Sequence, residues 1–133
     1  MKTEELKTLL FSFRGRMNRK PYILISLALI AVIFVIGLVL GLFIPMFSKI
    51  DESVLNILIL LLGVVSIPFL AVYIWITIAT TAKRLHDTDY SAWWMLVNFI
   101  PYVGGLILFV WTWFIKGTDG PNRFGENPLE ESE

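Results

Sequence analysis

At 133 residues, 56% hydrophobic and with a mean hydropathy of +0.73, the chain carries more apolar surface than so small an interior can hide. Its eleven Lys and Arg balance eleven Asp and Glu, so bulk charge draws no nucleic acid or other charged partner. It has no cysteine, which excludes disulfides, thiolate zinc sites and thiol catalysis.

Residues 3–13, TEELKTLLFSF, place Leu6, Leu9, Leu10 and Phe13 on one helical face. Thr3 can cap this helix, and Glu4 and Glu5 suit the positive end of its dipole. It is too short and polar to cross a bilayer, so the expected pose is flat on the interface, apolar face down. Arg14, Arg16, Arg19 and Lys20 crowd into the next seven residues. They are candidates for contact with anionic lipid headgroups, for intramolecular polar contacts, or simply for fixing topology.

The first expected span covers about 22–44, opened by Pro21 and Tyr22 and free of charge. At 1.5 Å per residue it is roughly 34 Å long, enough for a ~30 Å hydrocarbon core. It exceeds a signal-peptide h-region and reads as a retained anchor. Gly37 and Gly41 form a GxxxG at which another helix could pack. Residues 45–53 are a polar connection. The second span, about 54–79, contains Pro68, a position where a helix kinks and neighbouring hydroxyls compensate.

Residues 83–91, KRLHDTDYS, form the second expected connection. Lys83 and Arg84 suit a helix C-terminus, and Asp87 can pair back to them. The third span is expected at about 93–115, with Trp93 and Trp94 at one membrane boundary and Trp111 and Trp113 at the other. Pro101, Gly104 and Gly105 weaken its middle. The following stretch, GTDGPNRFGENPLEESE, is turn-rich, and residues 129–133 are expected to form an acidic disordered tail. The resulting fold class is an all-α membrane protein: three transmembrane helices preceded by a short amphipathic interfacial helix, with an irregular C-terminal tail. Residues 1–128 make one polytopic domain.

Lys and Arg collect on the cytoplasmic side. With three spans, Lys2, Lys7, Arg14, Arg16, Arg19, Lys20, Lys83 and Arg84 face Lys49, Lys116 and Arg123. The N-terminus is therefore expected inside and the C-terminus outside. The alternative is a re-entrant hairpin turning at Pro101-Tyr102-Val103-Gly104-Gly105, which would return the C-terminus to the cytoplasm.

The three expected spans contain no Asp, Glu, Lys, Arg or His. Ion-coupled transporters normally need such groups near the midplane, so active transport by one chain is disfavoured. His86 is the only histidine, too few for a zinc site. His86, Asp87 and Ser91 are rejected as a triad, because adjacent residues rarely orient as base and orienter and no nucleophile elbow is present. No catalytic residue, metal ligand or cofactor is assigned. Arg16, Arg19, Arg84, His86 and Asp87 share one face, and Asp87 or the end of the second span could receive an arginine from 14–19.

FRGRMNRKPY (13–22), KRLHDTDYSAWW (83–94) and GTDGPNRFGENP (117–128), with IPYVGG between the last two, together resemble the bacterial inner-membrane family called domain of unknown function 805. The resemblance implies a small polytopic inner-membrane protein and no established activity. It carries over Phe13, Gly15, Arg16 and Arg19 in the first motif, Arg84, His86, Asp87 and Trp94 in the second, and Pro101 and Gly104 between the motifs. In the tail it carries over Gly117, Asn122, Arg123, Gly125 and Pro128. Family members often have an acidic residue and then Tyr-Trp after the first motif; here Pro21-Tyr22-Ile23 stands instead.

Three functions are compatible with these features. The first is a non-catalytic structural, interaction or lipid-associated protein, with anionic lipids as partners. The second is a channel or carrier component built as a homo-oligomer. The third is an interfacial enzyme using His86 and Asp87.

Overall fold

Apolar side chains with no interior to enter dominate the architecture. The structure, a computed structural model, describes residues 3–47 and 49–129. Lys2, Ser48 and residues 130–133 of the acidic tail lie outside the described residues. Helices α1 (Thr3–Phe11), α2 (Arg19–Phe43), α3 (Glu52–Asp87) and α4 (Gly104–Phe114) follow in order. Short 3-10 helices occupy Ile44–Phe47 and Ala92–Phe99. The α2 and α3 helices are long and apolar enough to cross a membrane, and the side chains of their apolar stretches lie on the surface. A core helix of a soluble protein would bury that surface; lipid solvates it. The chain is an all-α membrane protein.

Local chemistry sets the helix ends. The Asn18 side chain accepts from the Arg19 amide at 2.8 Å, and Pro21 sits in the first turn of α2, where its missing N–H costs nothing. Asp51 caps α3 by accepting from the Ser53 amide at 2.9 Å. The Ser53 hydroxyl and amide hold its carboxyl below the usual carboxylate range. Pro68 lies inside α3 without ending it, and the nearby Ser66 hydroxyl donates to the Gly63 carbonyl at 2.8 Å.

Two expectations are corrected. Residues 83–87 are not a connection but the last turn of α3. The helix ends at Asp87 in a Schellman motif: Asp89 takes a left-handed φ of 62°, its amide bonds His86 O, and the Tyr90 amide bonds Leu85 O. The single helix over 93–115 does not form either. Ser91 starts the 3-10 helix, Pro101 cannot continue a helical ladder, Tyr102 reverses the chain at φ 67°, and α4 then runs 11 residues, about 16 Å. That is about half of a hydrocarbon core. The two limbs pack together. A Cβ on Gly104 would lie 2.0 Å from Val97 O, and the rings of Trp94 and Trp111, expected at opposite boundaries, sit 5.5 Å apart.

The chain divides into two compact units, Met1–Ile25 with Trp75–Glu133, and Ser26–Ile74. In the second, nothing lies within 4 Å of where a Cβ on Gly37 or Gly41 would sit. Among the described residues the GxxxG face is therefore open. The first unit holds the buried residues: Met17, Tyr22, Ala79, Ala82 and Leu85, joined by an unusual set of polar and charged ones.

Candidate functional site

The polar set gathers where α3 ends. Carbonyls at a helix C-terminus lack intrahelical partners and attract cations. The Met17 amide bonds the Lys83 carbonyl at 3.0 Å, laying the 14–18 segment against that end. Arg16 then reaches Asp87, with both Nε and Nη2 at 3.1 Å from Oδ1. Its Nη2 also donates to Thr118 O at 2.6 Å, and its Nη1 to Gly120 O at 2.7 Å and Gly125 O at 3.4 Å. Arg84 takes the other carboxylate oxygen, Nη1 to Oδ2 at 2.5 Å. Its Nε donates to Thr112 O at 2.9 Å and its Nη2 to Ile115 O, which closes the C-terminus of α4. The Arg16 side chain is 1% exposed and Arg84 is wholly buried.

Two buried arginines thus share one carboxylate, and a third buried cation, Lys83, is met by helix-end carbonyls instead. Lys83 Nζ donates to Thr8 O at 3.0 Å and to Leu9 O, capping α1. Half-buried Arg19 adds a bond from Nη1 to Phe114 O at 3.1 Å. The ends of α1, α3 and α4 are therefore tied by cations seated on their negative poles.

The tail closes the cluster. The Thr118 amide and hydroxyl donate to Asp87 O at 2.8 and 3.2 Å. Gly117 is held so close that a Cβ there would lie 2.1 Å from Asp87 Oδ2. Asn122 Nδ2 donates to His86 O and Thr118 Oγ1, both at 2.9 Å. The His86 ring stacks on Phe124 at 4.0 Å, and its Nδ1 sits 3.2 Å from Gly15 O. That carbonyl can only accept, so Nδ1 carries a proton. Arg123 Nη2 donates to Asp89 O at 2.6 Å, its Nε stands 3.2 Å from Asp89 Oδ1, and its guanidinium covers Phe124 at 4.9 Å.

Residues 117–125 pack directly against the N-terminal basic segment. The carbonyls of residues 118, 120 and 125 accept from Arg16, so the tail and the N-terminal basic segment sit together. Arg14 and Lys20 stay exposed, and among the described residues their side chains have no partner. Sequence reasoning overlooked Thr112, Thr118 and the capping of α1 by Lys83, and reached Gly117 only through the family resemblance. Only Gly117 carried a signal, as a glycine directly after an apolar helix.

Both oxygens of Asp87 are engaged and His86 is held between a carbonyl and a ring. Among the described residues, no three His, Asp or Glu side chains cluster as a metal site would require. The arrangement is built to fasten segments.

Residues 10–126 match the family described as "Protein of unknown function (DUF805)". Among curated proteins the chain is similar to Inner membrane protein YhaI of Escherichia coli (strain K12), 39% identical over 119 residues, 87% of this chain and 85% of that protein. It is also similar to Inner membrane protein YhaH of the same organism, 40% identical over 119 residues, covering 90% and 88% of the two chains. No solved structure matches the chain.

Proposed function

The chain belongs to the DUF805 family, and from that premise we propose that it is a non-catalytic inner-membrane protein: a two-span scaffold whose arginine knot presents unpaired cations to anionic lipid. One observation carries this reading. The acid most suited to chemistry, Asp87, has both oxygens taken by buried arginines, while Arg14 and Lys20 remain free at the surface. A site that consumes its own polar groups holds structure; the cations left over are what a partner meets.

In this reading α2 and α3 cross the bilayer, the 92–114 hairpin re-enters one leaflet, and both termini are cytoplasmic. The charge pattern favours it, since Lys49 is then the one residue of the eleven Lys and Arg on the outer side. Reporter fusions test the topology. A green fluorescent protein after the C-terminus is expected to fluoresce, alkaline phosphatase there to be inactive, and phosphatase inserted beside Lys49 to be active. An active phosphatase at the C-terminus overturns the arrangement.

Lipid association has its own test. In native mass spectrometry, phosphatidylglycerol retention is expected to fall about fivefold for each of Arg14→Ala and Lys20→Ala, and less steeply at high salt. Unchanged retention in the double variant would remove lipid recognition from the proposal.

A further inference from the structure

The guanidinium groups of the knot outnumber its acids. Arg16 and Arg84 share the carboxylate of Asp87. Half-buried Arg19 is bonded to Phe114 O and pairs with no carboxylate among the described residues. Three guanidinium groups less one carboxylate leave two positive charges. Carbonyl dipoles ease the cost of holding them partly out of water, but they cancel no charge. Beside this excess lies a small recess of about 50 Å³, where the start of α2, the end of α3 and the 116–129 segment meet. All three belong to one compact unit. Asn18, Arg19, Asp87, Lys116, Asp119 and Asn127 are among its lining, and Leu129 is its one apolar side chain among the described residues.

We propose that this recess binds one phosphate group, held by Arg19 and Lys116. Three observations select the ligand. The first is size. At about 10–15 Å³ for each water-sized group, the recess takes about four, the oxygens of one phosphate. The second is the set of donors. Arg19 Nε and Nη2 and Asn18 Nδ2 have no partner among the described residues. A guanidinium fork beside an ammonium is the donor pair that suits phosphate oxygens. The third is charge. Both oxygens of Asp87 are already taken by Arg16 and Arg84, so that acid adds no free negative charge to the recess. Asp119 pairs with Lys116 at 2.6 Å, but the two side chains are 81% and 62% exposed, and so exposed a pair is weak. A phosphate that meets Arg19 as well displaces Asp119 from the ammonium. The recess adjoins the first turn of α2, at the membrane edge of the topology above, so the phosphate comes either from a phospholipid headgroup or from solution. The inference goes beyond the reading built on Arg14 and Lys20, because neither residue lines the recess.

The test uses the full chain in two arms. In the first, the chain is stripped of phospholipid in a mild neutral detergent and titrated calorimetrically with inorganic phosphate. In the second, it sits in phosphatidylcholine nanodiscs with a minor fraction of phosphatidylglycerol, and native mass spectrometry reads the retention of that lipid. Lys116→Gln and, independently, Arg19→Gln are each expected to weaken phosphate binding, lipid retention or both about tenfold. Lys7→Gln removes an equally exposed lysine from the same kind of pair and is expected to change neither. The thermal midpoint of each variant is measured so that a misfolded one is recognised, and Lys116, at the surface, keeps the test open if Arg19→Gln does not fold. Retention lowered by Lys116→Gln identifies a headgroup as the source. Inorganic phosphate binding lowered by Lys116→Gln, with retention unchanged, identifies a soluble phosphate. If neither arm responds to the folded variants, or if chloride at equal ionic strength competes as well as phosphate, the proposal is overturned. The double variant Arg14→Ala with Lys20→Ala is expected to leave inorganic phosphate binding intact; its loss there would move the phosphate to the surface cations and overturn the recess as the site. The two readings therefore fail separately: the recess on Lys116→Gln and Arg19→Gln, the surface cations on the double variant's lipid retention.

Discussion

Asp87→Ala is expected to lower the stability of the chain by about 3–5 kcal/mol and to free the tail for proteolysis. The carboxylate is 3% exposed and is the one acid between the wholly buried Arg84 and the Arg16 side chain. Removing it leaves both guanidinium groups out of water without a counter-charge. Their bonds to Thr112 O, Ile115 O, Thr118 O and Gly120 O remain available but neutralise nothing. Set against a total stability of about 5–15 kcal/mol for a typical fold, that loss is large. Two measurements check it: the unfolding midpoint in mild detergent, and the rate of trypsin cleavage after Lys116 and Arg123. Asp87→Asn keeps the shape, removes only the charge, and should fall between. Arg123→Ala is the contrast, because its pair with Asp89 is largely exposed and is worth under about 1 kcal/mol. An Asp87→Ala protein with the wild-type midpoint and cleavage rate would show that the arginines are held by carbonyls alone.

Gly104→Ala should force the C-terminal hairpin open, at a cost of about 3 kcal/mol. The new Cβ would meet Val97 O at 2.0 Å and Asn98 C at 3.0 Å, and both are backbone atoms that no rotamer change can withdraw. Separating the limbs also parts Trp94 from Trp111 and Tyr90 from Trp111, now 5.5 and 4.5 Å apart, so tryptophan emission should shift together with the midpoint. Gly105→Ala is the matched control. Its Cβ would lie 3.5 Å from Asn98 Oδ1, an ordinary contact, and alanine favours the helix by up to about 1 kcal/mol. Equal midpoints for the two variants would mean the limbs are not packed in the membrane as described.

The membrane character of the chain and the helices over 22–44 and 54–79 were legible in the sequence. They follow from uninterrupted apolar length, a local property that needs no knowledge of neighbours. The same rule misread residues 93–115. It counts apolar residues, and Pro101 and the glycines after it changed the path of the chain while hardly changing that count. The four tryptophans looked like two belts because in a straight helix 94 and 111 stand far apart; in a hairpin they meet.

The knot shows the same division. Composition at the membrane edges marked 14–20, 83–87 and the Asn/Gly tail as polar clusters that had to be satisfied somewhere, and an arginine from 14–19 was one reading for Asp87. That Arg16 takes the carboxylate while Arg19 goes to Phe114 O was decided by the tertiary structure, through the Met17–Lys83 backbone bond that sets the register. Apart from Asp87, the partners of Lys83, Arg84 and Arg16 are backbone carbonyls, a group every residue carries and no sequence position advertises. The close seat of Gly117 on Asp87 likewise depends on two segments meeting from thirty positions apart. Apolar length, read locally, determined that the chain enters a membrane. Which ends are tied together rests on anonymous acceptors and long-range approach, and only the folded chain could settle it.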